Sequence, residues 1–324
     1  MSHEPSPGVL RPRIVVLGDL VTDVLAVLAG PLVTGSDTRA GISVSGGGQA
    51  ANTAAWLAAE GTPVTLIGAV GADPDGRARV AELAGLGVDT AIHESADAPT
   101  GTVIVLVHDG DRTMVTDRGA NLRLPAGHVD AALAARPGAR HLHLSAYTLL
   151  DAGSRDAGLR ALAVARGRGL STSVDAASAE PLRQVGAAVF LDWVRDVDLL
   201  LANADEATVL AGDRGPAEQA RTLSAGVRHA VVKLGAAGAV WAGPDGDVVG
   251  TAGRPVPVVD ATGAGDAFAA GLLGTWVGGD GPRAALQAGA ALGAVAVSTV
   301  GARPPATRAR PVSAAGAADR PRPE

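Results

Sequence analysis

The sequence predicts an α/β fold: a central, mostly parallel sheet flanked on both faces by helices, a three-layer α/β/α arrangement. Three observations predict it. Short apolar runs alternate with longer Ala- and Leu-rich helical patterns along the chain. Several runs, such as VVL at 15–17 and LLL at 199–201, are apolar at consecutive positions, as strands covered on both sides should be. Hydrophobic residues make up 47% of the 324 residues but aromatics only 2%, so a sizeable core must be built from Ala, Val and Leu.

The elements follow in order. RIVVLG at 13–18 reads as the first strand. Residues 19–45 are β-like, with a Gly30-Pro31 turn and no helical period. A helix at 49–60 follows three glycines, then a strand at 64–70 (VTLIGAV) and a helix at 75–86. Residues 100–120 read as a hairpin, with a strand at 102–107 and its turn at Asp109–Asp111. Strand 139–145, helix 154–168, strand 171–175, strand 197–202 and helices 204–211 and 215–226 come next. Strand 229–234 and helices 265–277 and 282–299 complete the set. From pattern alone, 19–45 and 100–120 suit an edge hairpin and a separate flap equally well.

Composition excludes several functions. The formal net charge of −6 argues against a surface that tracks nucleic-acid phosphates. There are no cysteines, so disulfides, thiolate catalysis and Cys-based zinc sites are out. The seven histidines form no metal-ligand pattern. No run reaches the roughly 18–20 apolar residues that span a bilayer, and MSHEPSPGVLRPR lacks the apolar middle of a signal peptide. A cytoplasmic protein without a membrane or nucleic-acid partner is the expectation. Residues 1–12 and the Pro-rich stretch 303–324 read as disordered, with a single domain over 13–304.

Two glycine-rich stretches carry the chemistry. In VVDATGAGDAFAAGLL, 258–273, Pro255 and Pro257 discourage an earlier helix, and Phe268, Leu272 and Trp276 recur at helical spacing. The helix therefore starts near Ala264–Asp266. Its first N–H groups lack intrahelical partners, and Gly263 and Gly265 let an anion approach them. Asp266 in that first turn is either a cap or a base that takes a hydroxyl proton while the N–H groups hold a phosphoryl group. In SGGGQAANTAAWLAAEG, 45–61, three glycines precede Gln49 and Asn52. Close backbone approach plus amide groups suits a polyhydroxylated ligand, and a plain Gly-rich loop is the alternative. Neither a Walker A loop nor a Rossmann G-x-G-x-x-G after the first strand is present.

Together, GGGQAAN near one end and DATGAGDAF near the other resemble the two signatures of the PfkB/ribokinase family of carbohydrate and nucleoside kinases. The resemblance covers roughly 13–304. It implies a ribokinase-like fold whose small β-sheet lid comes from about 19–45 and 100–120, and an ATP- and magnesium-dependent kinase. It implies Asp266 as base and Gly263, Ala264 and Gly265 as the anion hole. Asp23 of GDLVTD, Gly47, Gly48, Gln49 and Asn52 would meet the sugar or nucleoside. Asn203 and Glu206 of NADE would act near the phosphates and, indirectly, magnesium. Lys233, Gly235 and Gly238 would line the nucleotide site. Asp260 and Thr262 fall where members hold a monovalent cation such as K+. A homodimer through the lid is a further implication.

The chain also departs from that pattern. Gln49 stands where ribokinases carry Lys, and Ser145-Ala146-Tyr147 where they carry Glu. The lid stretches hold no Phe, Tyr or Trp, unlike adenosine kinases. The expectation is therefore phosphorylation of a hydroxyl, a primary one, on a sugar or sugar-like substrate. A nucleoside kinase and a non-catalytic sugar sensor are the alternatives. Arg118 and Asn121 in DRGAN are expected at the substrate mouth or in solvent.

Overall fold

The computed structural model describes residues 11–109 and 111–305. Thirteen strands occur among them: β1 Arg13–Leu17, β2 Val21–Leu28, β3 Ala40–Gly47, β4 Val64–Gly71, β5 Asp89–Ser95, β6 Gly101–His108, β7 Asp111–Asp117, β8 Ala139–Ser145, β9 Ser171–Asp175, β10 Leu199–Asn203, β11 His229–Lys233, β12 Ala239–Ala242 and β13 Val248–Thr251. The large sheet runs β13-β12-β11-β10-β9-β8-β1-β4-β5. It is parallel from β11 to β5, and β12 and β13 add an antiparallel edge.

Strand β1 divides its side chains between two cores. Ile14 and Val16 join a cluster with Trp56, Phe268 and Leu286. Val15 and Leu17 join one on the other face with Leu133, Leu162 and Phe190. Helices Gln49–Ala59, Pro74–Gly85, Ala264–Trp276 and Pro282–Val297 supply the first layer. Ala126–Ala134, Ala152–Gly167, Ala204–Ala211 and Pro216–Ser224 supply the other. The shortage of aromatics is met by close helix packing. A Cβ on Gly271 would come 2.6 Å from the Ala288 carbonyl, so the last two helices touch backbone to backbone.

The β-like segments form a second sheet rather than an edge of the first. Its order is β3-β2-β6-β7, with β2 antiparallel to β3 and parallel to β6. The β6–β7 hairpin is the one expected around Asp109–Asp111. Several elements were not anticipated: strand β5, the β12–β13 hairpin, and helices Ala126–Ala134, Ala179–Val185 and Ala187–Trp193. Both expected tails need trimming. Arg11 donates to the Glu60 carbonyl at 2.8 Å, and Arg303 packs into the site described below. The remainder of both tails, 1–10 and 306–324, lies outside the described residues.

The chain leaves β1 for β4 and β5 on one side, then crosses to β8 and continues to β11 on the other. The carboxyl ends of parallel strands open a crevice where such an order reverses. Asp19 follows β1, Ser145 ends β8, Asp175 ends β9, Asn203 ends β10 and Lys233 ends β11. The sheet thus delivers polar groups from distant parts of the sequence to one rim.

Candidate active site

Helix Ala264–Trp276 begins at Gly263, whose φ is +74°. L-residues with a side chain avoid this region, and a Cβ here would also come 2.6 Å from the Ala302 Cα. Gly265 is glycine for a different reason. Its ideal Cβ would find only the Lys233 Nζ, at 3.6 Å, so the backbone is open toward the cleft. The Ala264 N–H has only a long contact, 3.4 Å, to the Ala261 carbonyl. These first-turn N–H groups form the positive end of a 13-residue helix.

Asp266 stands in that first turn, half-buried. Its Oδ2 accepts the Asn52 Nδ2 at 2.9 Å, which joins the two glycine-rich stretches. Burial raises its pKa to about 7. The Asn52 hydrogen bond and Lys233 pull it down, while Asp175 and Asp19 push it up. A carboxylate that changes state near neutrality suits general base chemistry.

The loop before Gln49–Ala59 uses each glycine differently. A Cβ on Gly46 would overlap the Arg303 guanidinium, one on Gly47 the Asp23 carboxylate, and one on Gly48 the Asp19 carbonyl. Gly48 also takes φ +101°. Asp23 on β2 therefore lies directly against the Gly47 backbone. Burial raises its pKa to about 6, opposed by Arg303 and assisted by Asp19. Asp19 caps the helix from outside it, with its carboxylate accepting the Gln49 and Ala50 N–H groups at 3.2 Å each.

Gln49 lines the cleft, but its amide is engaged. Nε2 donates to Asp175 Oδ1 at 3.1 Å, and Oε1 accepts the Ser145 hydroxyl at 2.6 Å. It ties the glycine loop to the ends of β8 and β9. Arg118 and Asn121 turn into the protein rather than into solvent. Arg118 lies over the Tyr147 ring and pairs with Asp19 at 3.3 Å and Asp151 at 3.5 Å. Asn121 is buried and hydrogen-bonds both backbone groups of Leu20.

Beyond Asp266 the crevice widens into a cleft of about 500 Å³, within the size range of ligand sites. Asn203, Glu206, Lys233, Gly235 and Gly238 all line it. Lys233 Nζ lies 2.5 Å from Asp175 Oδ2. Burial works against its charge, but Asp175 and Glu206 outweigh this and raise its pKa. Asn203 and Glu206 form a reciprocal capping box. The Glu206 carboxylate accepts from the Asn203 N–H at 2.8 Å and from its Nδ2 at 2.7 Å, while Asn203 Oδ1 accepts the Glu206 N–H at 2.8 Å. Burial raises the Glu206 pKa, with Lys233 opposing. Away from these groups the walls are apolar, with Val256, Val258, Ala290, Ala294 and Val297 among them. This wall was not anticipated from the sequence. Its signal was the row of small residues at 290, 293, 294 and 297 on one face of the last helix.

Asp260 and Thr262 join each other. Asp260 Oδ1 accepts the Thr262 N–H at 2.9 Å and hydroxyl at 2.6 Å, and its Oδ2 accepts the Gly301 N–H at 3.0 Å. Three important groups were not singled out from the sequence, Asp19, Asp175 and Arg303, and Ser145 was noted only as standing where ribokinases carry Glu. Among the described residues there is no cluster of three or more His, Cys, Asp or Glu fit to hold a metal, and no helix long and apolar enough to cross a membrane.

Comparison with known proteins gives the family and the fold. The model of the pfkB family carbohydrate kinases matches residues 11–309. A 2-dehydro-3-deoxygluconokinase from Thermoproteus tenax is 31% identical over 306 residues, 92% of this chain and 91% of that one. An ATP-dependent ribose-1-phosphate kinase from Halopiger xanaduensis is 31% identical over 261 residues, 80% of this chain and 82% of that one. An E. coli structure named as a ribokinase II, in complex with ATP and Mg2+, superposes with a TM-score of 0.78 at 25% identity, covering 90% of this chain and 94% of that one. An adenosine kinase from Sinorhizobium meliloti shares the fold, with a TM-score of 0.80 at 23% identity over 91% and 96% of the two chains.

Proposed function

The chain belongs to the pfkB family of carbohydrate kinases, and from that premise we propose that it transfers the γ-phosphoryl group of ATP to a primary hydroxyl of a sugar, with Asp266 as general base. One observation carries the reading. A carboxylate with a pKa of about 7 sits in the first turn of a helix whose N-terminal N–H groups open on the same cleft. Phosphoryl transfer asks mainly for positioning and charge stabilisation, and this arrangement offers both.

In this reading Asp23, the Gly47–Gly48 backbone and Asn52 hold the sugar. Asp266 accepts the hydroxyl proton as that oxygen attacks the γ-phosphorus. The N–H groups of Gly263, Ala264 and Gly265 receive the transferring group's charge. Lys233, Gly235 and Gly238 flank the nucleotide, and the apolar wall around Val258 and Ala294 receives its base. The lid sheet carries Asp23, so its closure would complete the sugar site and exclude water.

Mg2+ fits the donor set in an indirect role. Both Glu206 oxygens are committed to Asn203, so the phosphates would supply most ligands and Glu206 would act through water, as Mg2+ sites in kinases allow. When bound, the ion offsets phosphate charge. A K+ site at Asp260 and Thr262 rests on the family resemblance. Their mutual hydrogen bonds support a loop-stapling role.

The competing acceptor class is a nucleoside, and a sugar is favoured because β2, β3, β6 and β7 carry no Phe, Tyr or Trp to stack a base. The lid's exposed apolar side chains, Ile42 and Val44 among them, support dimerisation through that sheet. The deciding experiment is an ADP-release screen over sugars, sugar acids, sugar phosphates and nucleosides, with and without K+. ADP formation dependent on a sugar-class acceptor is expected. Release with nucleosides alone, or with no acceptor at all, contradicts the reading.

A further inference from the structure

Residues 301–305 leave the last helix and cross back over the site. The Gly301 N–H binds Asp260. The Ala302 backbone fills the space a Cβ on Gly263 would need, and its carbonyl accepts the Trp56 indole N–H at 2.9 Å. Arg303 reaches furthest. Its Nη2 donates to the Gly47 carbonyl at 3.2 Å, its Nε to Asn52 Oδ1 at 3.3 Å, and its Nη1 pairs with Glu82 Oε1 at 2.8 Å. The side chain is only 8% exposed.

Asn52 is thus held from both ends. An amide has one accepting and one donating end, a guanidinium only donates, and an ionised carboxylate only accepts. With Arg303 on Oδ1, Nδ2 must face Asp266. Turned over, the amide would set N–H against N–H at Arg303 and oxygen against oxygen at Asp266. Asp266 Oδ1 has no hydrogen-bond partner among the described residues. Glycine at 46 keeps the guanidinium's place open.

We propose that Arg303 is a positioning residue for phosphoryl transfer: it locks the Asn52 amide so that Nδ2 holds Asp266 Oδ2 and Oδ1 is left for the acceptor hydroxyl. This rests on Asp266 being the base. The other charged groups that face Asp266 are Asp175 at the end of β9, Lys233 at the end of β11 and Asp19 after β1, and none of them changes in the variants below.

The test measures kcat, both KM values and the pH dependence of kcat/KM for Arg303→Met, Arg303→Lys and Asn52→Ala, and for Arg303→Met combined with Asn52→Ala. Small misplacements of reacting groups cost up to about 100-fold, and a loss of kcat of about 10- to 100-fold is expected with little change in KM for ATP. Loss of the amide donor should move the acidic limb of kcat/KM to higher pH. Arg303→Met also withdraws a charge that holds down the Asp23 pKa, so additivity is read on kcat at saturating substrate, where Arg303→Met should add almost nothing in the Asn52→Ala background. Lys keeps the charge opposite Glu82 but lacks the planar fork, so Arg303→Lys should fold and still show the displaced limb. An unmoved limb, additive losses, or a fall in thermal stability with native kcat would each overturn the proposal. Asp266→Asn separates the two readings. If that variant is inactive while the Arg303 variants behave as native, only the positioning role fails; if it is active, the base assignment fails.

Discussion

Asn52 and Asp266 are joined by a 2.9 Å hydrogen bond across 214 positions of sequence. The first turns of helices Gln49–Ala59 and Ala264–Trp276, which follow the two glycine-rich stretches, are therefore tied directly together. The amide stabilises the ionised carboxylate against burial, which raises its pKa.

That balance sets a pH dependence. Asp266 must be ionised to accept a proton, so kcat/KM should rise through a limb near pH 7. Asp23, raised to about 6, should steepen the fall below that value. Below about pH 6 the logarithmic slope should approach two in the native enzyme and one in Asp23→Asn, which should also raise KM for the sugar far more than for ATP. A slope of two retained in that variant would remove Asp23 from the site.

The same shift has a stability consequence with a definite sign. Between its ordinary 3.8 and about 7 the folded state binds the Asp266 proton more tightly than the unfolded chain, so this group's contribution falls as pH rises through that window. Asp266→Asn should raise the melting temperature relative to native at pH 8, and the difference should shrink toward pH 4. Thermal melts at the two pH values check it.

The two glycines at the start of helix Ala264–Trp276 should separate folding from catalysis. Gly263→Ala meets both φ +74° and the Ala302 backbone. Such strain costs about 1–3 kcal/mol, so both melting temperature and turnover should drop. Gly265→Ala finds nothing closer than Lys233 Nζ at 3.6 Å. It should keep its melting temperature and lose turnover, because the methyl group would enter the space proposed for the phosphoryl group.

Ile42 is 69% exposed and Val44 60%, and they alternate along one face of β3. If the lid is a dimer interface, the protein should elute as a dimer and Ile42→Glu with Val44→Glu as a monomer. Light scattering on both would check this. A native monomer would contradict it.

Much of this site was legible because its residues carry local signals. Gly263, Gly265 and Asp266 stand at a helix start, and the glycines at 46–48 precede another. The alternating apolar runs gave β1, β4 and β8 to β11 with small errors at their ends. What stayed hidden depends on strand order. Asp175 and Asp19 look ordinary in sequence and come to one rim with Ser145 only because β9, β8 and β1 are neighbours. Helix Ala126–Ala134 has Pro125 at its cap position and no side-chain cap, and β12 and β13 have four residues each, too few for a period. Arg303 was hidden by its Pro-rich surroundings, which resemble a tail although its guanidinium is enclosed.

If Asp266 is the base for transfer to a sugar hydroxyl, turnover must depend on its carboxylate. The most direct measurement compares turnover and ATP affinity in native enzyme and Asp266→Asn, with the acceptor found by the ADP-release screen. Base catalysis contributes about 10²- to 10⁴-fold, so kcat should fall by that much while the dissociation constant for ATP changes by less than about twofold. Near-native turnover in Asp266→Asn would contradict the account.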